Sequence, residues 1–112
     1  MSFHREKHVI AVTAGSGYGQ STHPLRGHLW QIIIEPATLT TNWTLQLNDG
    51  NNEEIGGWDD ITGAMNSAYG LELPMNGTLR FLFSDVNDGE AVSSPVDETF
   101  TIRIVVKEEP YR

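Results

Sequence analysis

Thr99-Phe-Thr-Ile-Arg-Ile-Val-Val-Lys107 is the stretch of the chain with the clearest pattern. Every second residue from Phe100 to Val106 is apolar, whereas most residues between them, such as Arg103, are polar. A period of two is typical of a β-strand that buries one of its faces. The segment therefore predicts a strand whose apolar side joins the core and which Pro110 prevents from continuing.

The same alternation appears in two earlier segments. Asn42-Trp-Thr-Leu-Gln-Leu47 places Trp43 and the two leucines on one face and ends at Asn48-Asp49-Gly50, which is a strong turn signal. Thr78-Leu-Arg-Phe-Leu-Phe83 follows the turn signal Asn76-Gly77 and has its own apolar face. Both segments are predicted to be strands that share a core with the last one.

Two more runs are rich in strand formers. His8-Val-Ile-Ala-Val-Thr13 predicts a first strand, and the glycine-rich segment 14–19 that follows predicts a flexible loop. His28-Leu-Trp-Gln-Ile-Ile-Ile-Glu35 ends at Pro36, and its run of isoleucines is typical of a strand buried on both faces. We therefore expect the strand over 28–35 to lie in the middle of a sheet.

The middle of the chain has a weaker pattern. Glu54-Ile55 is consistent with a short return strand, and Asp59 or Asp60 could cap a single helical turn that runs to Ala64. A long acidic loop is expected from Ser84 to Asp97, because Gly89 and Pro95 interrupt it.

Composition supports an all-β chain. Val, Ile and Thr together number 25, whereas Ala and Lys together number 8. Five to eight short strands in 112 residues predict one domain, either a small antiparallel β-sandwich of jelly-roll type or a small barrel. We expect an N-terminal arm at 1–7, the sandwich at 8–107 and a C-terminal tail at 108–112.

The composition also excludes several classes of protein. The chain has no cysteine, so a disulfide scaffold and thiolate metal sites are excluded. No apolar run is long enough for a membrane helix, and the polar start Met-Ser-Phe-His-Arg-Glu-Lys-His is not a secretory signal. We therefore expect a soluble protein made in a reducing compartment, with no membrane partner.

The charges are unevenly distributed. The net charge is −8, but residues 1–34 have more cations than acids and contain all four histidines. Residues 35–112 carry all but one of the 15 acidic side chains. An acidic body of this kind disfavours nucleic acid as a partner. Either the excess charge serves solubility, or the basic N-terminal region docks on an acidic neighbour.

No motif for a cofactor or a metal stands out. Gly15-Ser-Gly-Tyr-Gly19 resembles a dinucleotide-binding turn, but Gln20 occupies the place of its third glycine and no helix can follow. His4, His8, His23 and His28 form no metal motif, so they are interpreted as surface or partner-contact residues.

Two acidic loops resemble calcium loops. Asp49-Gly-Asn-Asn-Glu53 and Asp85-Val-Asn-Asp-Gly89 carry oxygen ligands at alternate positions. In the second loop the glycine comes one residue early for an EF-hand, and no Glu follows at the twelfth position. Ordinary turns favour the same residues. We expect turns here, with calcium as the alternative, and predict no cofactor and no resident metal.

Catalytic residues are not expected either. The acidic pairs Glu53-Glu54, Asp59-Asp60 and Asp97-Glu98 consist of neighbours along the chain, which point to opposite faces of a strand. No nucleophile comes with an identifiable base. The sequence therefore predicts a protein that is not an enzyme.

The three tryptophans raise the possibility of carbohydrate binding, in which flat aromatic rings stack on sugars. Trp43 shares a face with two leucines, and Trp30 is assigned to the face of Ile32 and Ile34, so both are predicted to be core residues. Only Trp58, between glycines and aspartates, is expected at the surface.

The order of these segments resembles that of small all-β virion proteins of tailed bacteriophages, which decorate or cement the capsid. The resemblance covers residues 24–107. It rests on the segments Pro24–Pro36, Thr40–Asp49, Glu54–Ile61, Leu73–Phe83 and Glu98–Val106. It implies a capsid decoration or cement protein, located on the virion surface and assembled in the host cytoplasm.

The resemblance implies that the partners are the major capsid protein or other virion proteins, and that the chain is present in many copies or as a homo-oligomer. It brings no catalytic residue. The residues expected to dock are those of the basic, aromatic termini together with the exposed tryptophan: Phe3, His4, Arg5, Lys7, Trp58, Tyr111 and Arg112. The alternatives are a phage tail or neck component and a carbohydrate-binding β-sandwich.

Overall fold

The computed structural model describes residues 2–22, 24–67 and 73–108, and within these ranges the chain is made of strands and loops. The strands are β1 (Ser2–Val12), β2 (Gly17–Gln20), β3 (Leu25–Pro36), β4 (Asn42–Asn48), β5 (Glu54–Thr62), β6 (Met65–Asn66), β7 (Leu73–Gly77), β8 (Arg80–Asn87) and β9 (Glu98–Glu108). A helix able to cross a membrane is not found in the described ranges.

The strands form two antiparallel sheets that pack face to face. The five-stranded sheet has the order β1-β9-β3-β6, with β7 pairing with β3 beside β6, and the four-stranded sheet has the order β2-β8-β4-β5. This confirms the predicted all-β sandwich in one domain, and the sheets do not close into a barrel. The strand over 28–35 is central as expected, because β3 pairs with β9 along one edge and with both β6 and β7 along the other.

The core lies between the inner faces of the two sheets. Phe100, Ile102, Ile104 and Val106 of β9 are all essentially inaccessible to solvent, as the alternation of that segment predicts. The largest buried group is aromatic: Trp43 contacts Phe83 and Phe100 edge to face, and those two phenylalanines stack at 4.2 Å between ring centroids. Trp43 is therefore a core residue, as predicted.

Strand β1 begins earlier than the sequence indicates. The first strand was expected from His8 with a free arm at 1–7, but residues 2–7 continue the same ladder, from Ser2↔Glu108 to Lys7↔Arg103. The sequence pattern does not indicate this early start, because the inward-facing positions His4 and Glu6 are polar and break the apolar alternation. Their burial is compensated by hydrogen bonds between them, so no apolar residue is needed there. Apart from Glu108, the predicted tail 108–112 lies outside the described residues.

Strand β2 lies where a flexible glycine loop was predicted. Gly17 and Gly19 face β1, and a Cβ atom at either position would overlap the side chains of Val12 and Ile10. The glycines are therefore needed for close contact between two strands and not for flexibility.

Strand β5 also differs from the prediction. Residues 59–64 form no helical turn, because Glu54–Thr62 is a single strand paired along β4. A bulge in this pairing places Asp60 at a φ of 53°. The bulge breaks the period of two, which explains the weak pattern of this stretch.

Candidate docking surface

A β-bulge in β3 determines what the five-stranded sheet presents to solvent. The register with β9 shifts between Leu29 and Gln31. As a result Leu29 faces the core before the bulge, and Ile32 and Ile34 face the core after it. Trp30 is the extra residue and lies half-buried on the outer face. The prediction that Trp30 is a core residue is wrong, because a simple alternation does not include the bulge.

The outer face of this sheet collects cations around apolar side chains. In the register of the sheet Phe3 pairs with Lys107, Arg5 with Val105, and Lys7 with Arg103, which in turn pairs with Ile33. We call this surface the basic face. It consists of Phe3, Arg5, Lys7, Trp30, Ile33, Arg103, Val105 and Lys107.

Contacts within the basic face hold its aromatic corner in place. The rings of Phe3 and Trp30 meet edge to face at 6.0 Å between centroids, and Lys107 Nζ lies 5.0 Å from the centre of the Trp30 ring. Both distances are typical of favourable aromatic and cation–π contacts. Phe3 is nevertheless 44% exposed, so this corner presents a pre-arranged apolar surface to solvent.

The charges of the basic face are largely uncompensated. Arg103 Nη1 donates to Glu35 Oε1 at 2.9 Å, and both side chains are about half exposed. The side chains of Arg5 and Lys7 are exposed, and the ion pairs found among the described residues do not include them. Together with Arg103 they line a shallow groove of about 380 Å³, whose floor includes Ile33 and Val105. The groove can accept an acidic and partly apolar ligand surface.

The opposite side of β1 carries a different cluster. His4 Nε2 and His8 Nε2 each lie 2.7 Å from a carboxylate oxygen of Glu6, and the backbone N–H of Thr22 donates to the same carboxylate at 2.8 Å. The His8 ring also packs against Phe81. Burial opposes the charge of Glu6, but the Thr22 and histidine hydrogen bonds outweigh it and hold the pKa of this carboxyl below its ordinary value.

The cluster separates one predicted docking residue from the others. The structure brings Phe3, Arg5 and Lys7 together on the basic face, but it places His4 on the inner side of β1 against Glu6. Sequence reasoning grouped these residues because they are neighbours along the chain. A strand sends such neighbours to opposite faces.

Trp58 is the remaining predicted docking residue that the structure describes. Trp58 lies on β5 in the four-stranded sheet, where it packs partly buried against the core, so it is only partly available at the surface and its docking role stays a prediction. Its register partner on β4 is the core residue Leu45. Tyr111 and Arg112 lie outside the described residues, as does His23. The sequence reasoning did not select Arg103 and Lys107, although their alternation with the core residues of β9 already placed them outward.

The two acidic loops are closed by their own hydrogen bonds. Asp49 Oδ1 accepts from the backbone N–H groups of Asn51 and Glu53, and Asp88 Oδ1 accepts from those of Glu90 and Ser94. These are the bonds of ordinary Asx turns. In the described ranges no group of three or more histidine, aspartate or glutamate side chains is arranged to hold a metal ion.

A second depression lies at the loop end of the sandwich, lined among others by Ala14, Ser84, Asn87 and Pro95. Its lining includes a single carboxylate, Asp85, and no histidine. The groove of the basic face likewise has one acidic residue, Glu6, in its lining, beside Arg5, Lys7 and Arg103. The absence of enzymatic activity stays a prediction.

Comparison with known proteins finds structures with a similar fold but no family to which the chain can be assigned. No protein-family model matches the chain, and no curated protein sequence matches it. The solved structure of FlhE is similar with a TM-score of 0.54 and 9% identity, over 96% of this chain and 100% of that one.

Two further solved structures resemble the chain more distantly. PliG from Aeromonas hydrophila, a periplasmic lysozyme inhibitor of g-type lysozyme, has a TM-score of 0.48 and 13% identity over 90% of this chain and 86% of its own. A mitogen derived from Yersinia pseudotuberculosis has a TM-score of 0.45 and 13% identity over 96% and 90%. At these identities the similarity concerns the fold alone. The class of protein that the fold shows is therefore an all-β sandwich.

Proposed function

We propose that this chain is a non-enzymatic structural protein that docks through its basic face on an acidic surface of a larger assembly. The resemblance to tailed-phage decoration proteins makes that assembly a virion, and the major capsid protein the partner. The observation that carries the proposal is the concentration of Arg5, Lys7, Arg103 and Lys107 around exposed apolar groups, in a chain of net charge −8.

The physical basis is the usual composition of a protein interface. Arginine and aromatic side chains provide much of the binding energy at such surfaces. The pair Phe3 and Trp30 supplies the aromatic part, and its mutual packing lowers the entropy lost on binding. Opposite charge on the partner would orient the approach and raise the association rate. Many copies bound side by side would reinforce a capsid through added contact area.

The first prediction tests the face directly. The double variant Arg103→Gln with Lys107→Gln should lower the number of copies retained on purified particles by about tenfold, because it removes two of the charges that face the partner. The measurement is quantitative mass spectrometry of gradient-purified particles of the phage that encodes the chain. Fold stability should change little, because an exposed pair such as Arg103–Glu35 contributes little.

A matched control separates position from net charge. Ala91→Glu with Ser93→Glu makes the same change in net charge in the exposed loop between β8 and β9, and should leave occupancy within about twofold of wild type. Equal losses in both double variants would contradict a specific role for the basic face. Absence of the chain from the particles would overturn the virion proposal itself.

Two alternatives have their own readouts. A tail or neck component would be present in tens of copies or fewer per particle, whereas a decoration protein reaches hundreds. A carbohydrate-binding sandwich is the other alternative, and the exposed Phe3 with the half-buried Trp30 is the aromatic pair it could use. Those rings are inclined at 60° and do not form a flat platform for a sugar ring. A glycan array tests this alternative: binding would favour it, and the absence of binding would count against it.

A further inference from the structure

Strand β1 is a long strand at the edge of the five-stranded sheet. It spans Ser2–Val12, pairs without interruption with β9, and has no hydrogen-bonded neighbour on its other side among the described strands. Unpaired edges of this length expose backbone donors and acceptors and invite another strand. Beyond the Val12 end of β1, Thr13 and Ser16 exchange two backbone hydrogen bonds, which close the edge there.

The register identifies which backbone groups of β1 are open. The N–H of Ala37 donates to the carbonyl of Thr99, so Thr99 and the alternate residues of β9 direct their backbone groups to β3. The residues between them, such as Ile104, therefore bond to β1, and their partners in β1 are the even-numbered positions such as Glu6. It follows that the odd-numbered positions, from Phe3 to Val9, direct N–H and C=O to the open edge.

The side chains at these open positions select the partner. Arg5 and Lys7 stand on the edge with the basic face, and both are exposed. A second copy pairing antiparallel through the same edge would bring these cations next to their own equivalents, and like charges on neighbouring strands are destabilising. An incoming strand with carboxylates on that face would pair with them instead.

We propose that the open edge of β1 takes up an extended, acidic segment of the partner protein as an additional strand of the sheet. The proposal rests on the proposed function, since it names the part of the partner that the basic face would engage. Backbone hydrogen bonds would supply affinity, and alternate carboxylates beside Arg5 and Lys7 would supply selectivity.

The test uses the whole chain and a synthetic peptide of about nine residues with Glu at alternate positions and Thr or Val between them. Val9→Pro removes an outward N–H without removing a charge, at a side chain that is 65% exposed; proline is tolerated on strand edges. Val9→Thr keeps the N–H and is the matched control. Fluorescence anisotropy should show about tenfold weaker binding for Val9→Pro, unchanged binding for Val9→Thr, and about tenfold weaker binding of a peptide with Lys in place of Glu.

Amide hydrogen exchange on the wild-type chain gives a second readout if the proline variant does not fold. The bound Glu peptide should slow exchange at Arg5, Lys7 and Val9. Unchanged exchange at these amides, or equal binding by Val9→Pro, would overturn strand addition. If amide exchange at these positions slows without peptide, and slows more at higher protein concentration, a second copy of the chain pairs with this edge and the proposal of an acidic partner strand is wrong. The two proposals can also fail separately. If Val9→Pro is still retained on particles but the double variant Arg103→Gln with Lys107→Gln is not, the proposed function stands and only strand addition is wrong.

Discussion

Glu98 shows how one residue joins two parts of the molecule. It is the first residue of β9, it is buried, and its carboxylate accepts hydrogen bonds from Thr41 Oγ1 at 2.7 Å and from the backbone N–H groups of Ala37, Thr38 and Thr99. Burial opposes the charge, but the bonds from Thr41 and the backbone outweigh it, so the pKa of Glu98 lies below its ordinary value of 4.5. The carboxylate thereby holds the β3–β4 loop against the sheet.

The pH dependence of stability follows from the direction of that shift. A carboxyl whose pKa is lower in the folded state stabilises the fold fully above its unfolded pKa, and this contribution is lost as the pH falls through the folded pKa. The charged form of Glu98 should therefore contribute at pH 6 and progressively less below about 4.5. Glu98→Gln should cost about 1–3 kcal/mol at pH 7 and flatten the acid side of the stability curve.

The measurement is urea unfolding at a series of pH values. Glu90→Gln is the matched control, because Glu90 is an exposed carboxylate in the loop after β8, and it should leave the curve near that of the wild type. Parallel curves for Glu98→Gln and the wild type would show that the charge of Glu98 does not stabilise the fold.

At the scale of elements, β9 is the central support of the sandwich. It pairs with β1 on one side and β3 on the other, and its inner residues contact the aromatic cluster. Ile104→Asp would place an unpaired carboxylate in this core, where Ile104 is 1% exposed. We expect loss of soluble folded protein, because burying an unpaired charge costs more than a small domain can supply. Circular dichroism and size-exclusion chromatography check this, and a cooperatively folded variant would refute the assignment of faces.

Strand β2 depends on the absence of side chains at its two glycines, Gly17 and Gly19. A methyl group at Gly17 would meet Val12 and the backbone of Ala11, neither of which can move easily within a paired strand. Gly17→Ala should therefore destabilise the fold by about 1–3 kcal/mol, read as a lower thermal midpoint. Tyr18→Ala, next to it but pointing to solvent at 54% exposure, is the control and should have a smaller effect.

At the scale of the whole molecule, the two sheets differ in charge. The basic face lies on the five-stranded sheet, whereas Asp59 and Asp60 lie on β5 and Asp85 on β8 of the four-stranded sheet. Further acids occupy the loops next to that sheet, at 49–53 and 88–97. If the basic face docks as proposed, this polarity would turn the acidic side toward solvent, where like charges would repel neighbouring copies.

The strand segments and much of the core could be read from the sequence, because a period of two in apolar residues directly reflects the geometry of a half-buried strand. This holds for β4, β8 and β9, whose inner residues were assigned correctly. It fails where partners across the molecule decide the outcome. The bulge at Trp30, the early start of β1 and the strand at Gly17–Gln20 all depend on contacts with residues far away in the chain.

The basic face was also predictable only in part. The sequence by itself determined that Phe3, Arg5 and Lys7 form a basic and partly aromatic segment and that Arg103 and Lys107 point away from the core. Only the tertiary structure decided that these residues share one face with Trp30, and that His4 leaves it to bond with Glu6. The physical reason is that alternation along a strand sets the side on which a residue lies, whereas the pairing of distant strands sets its neighbours.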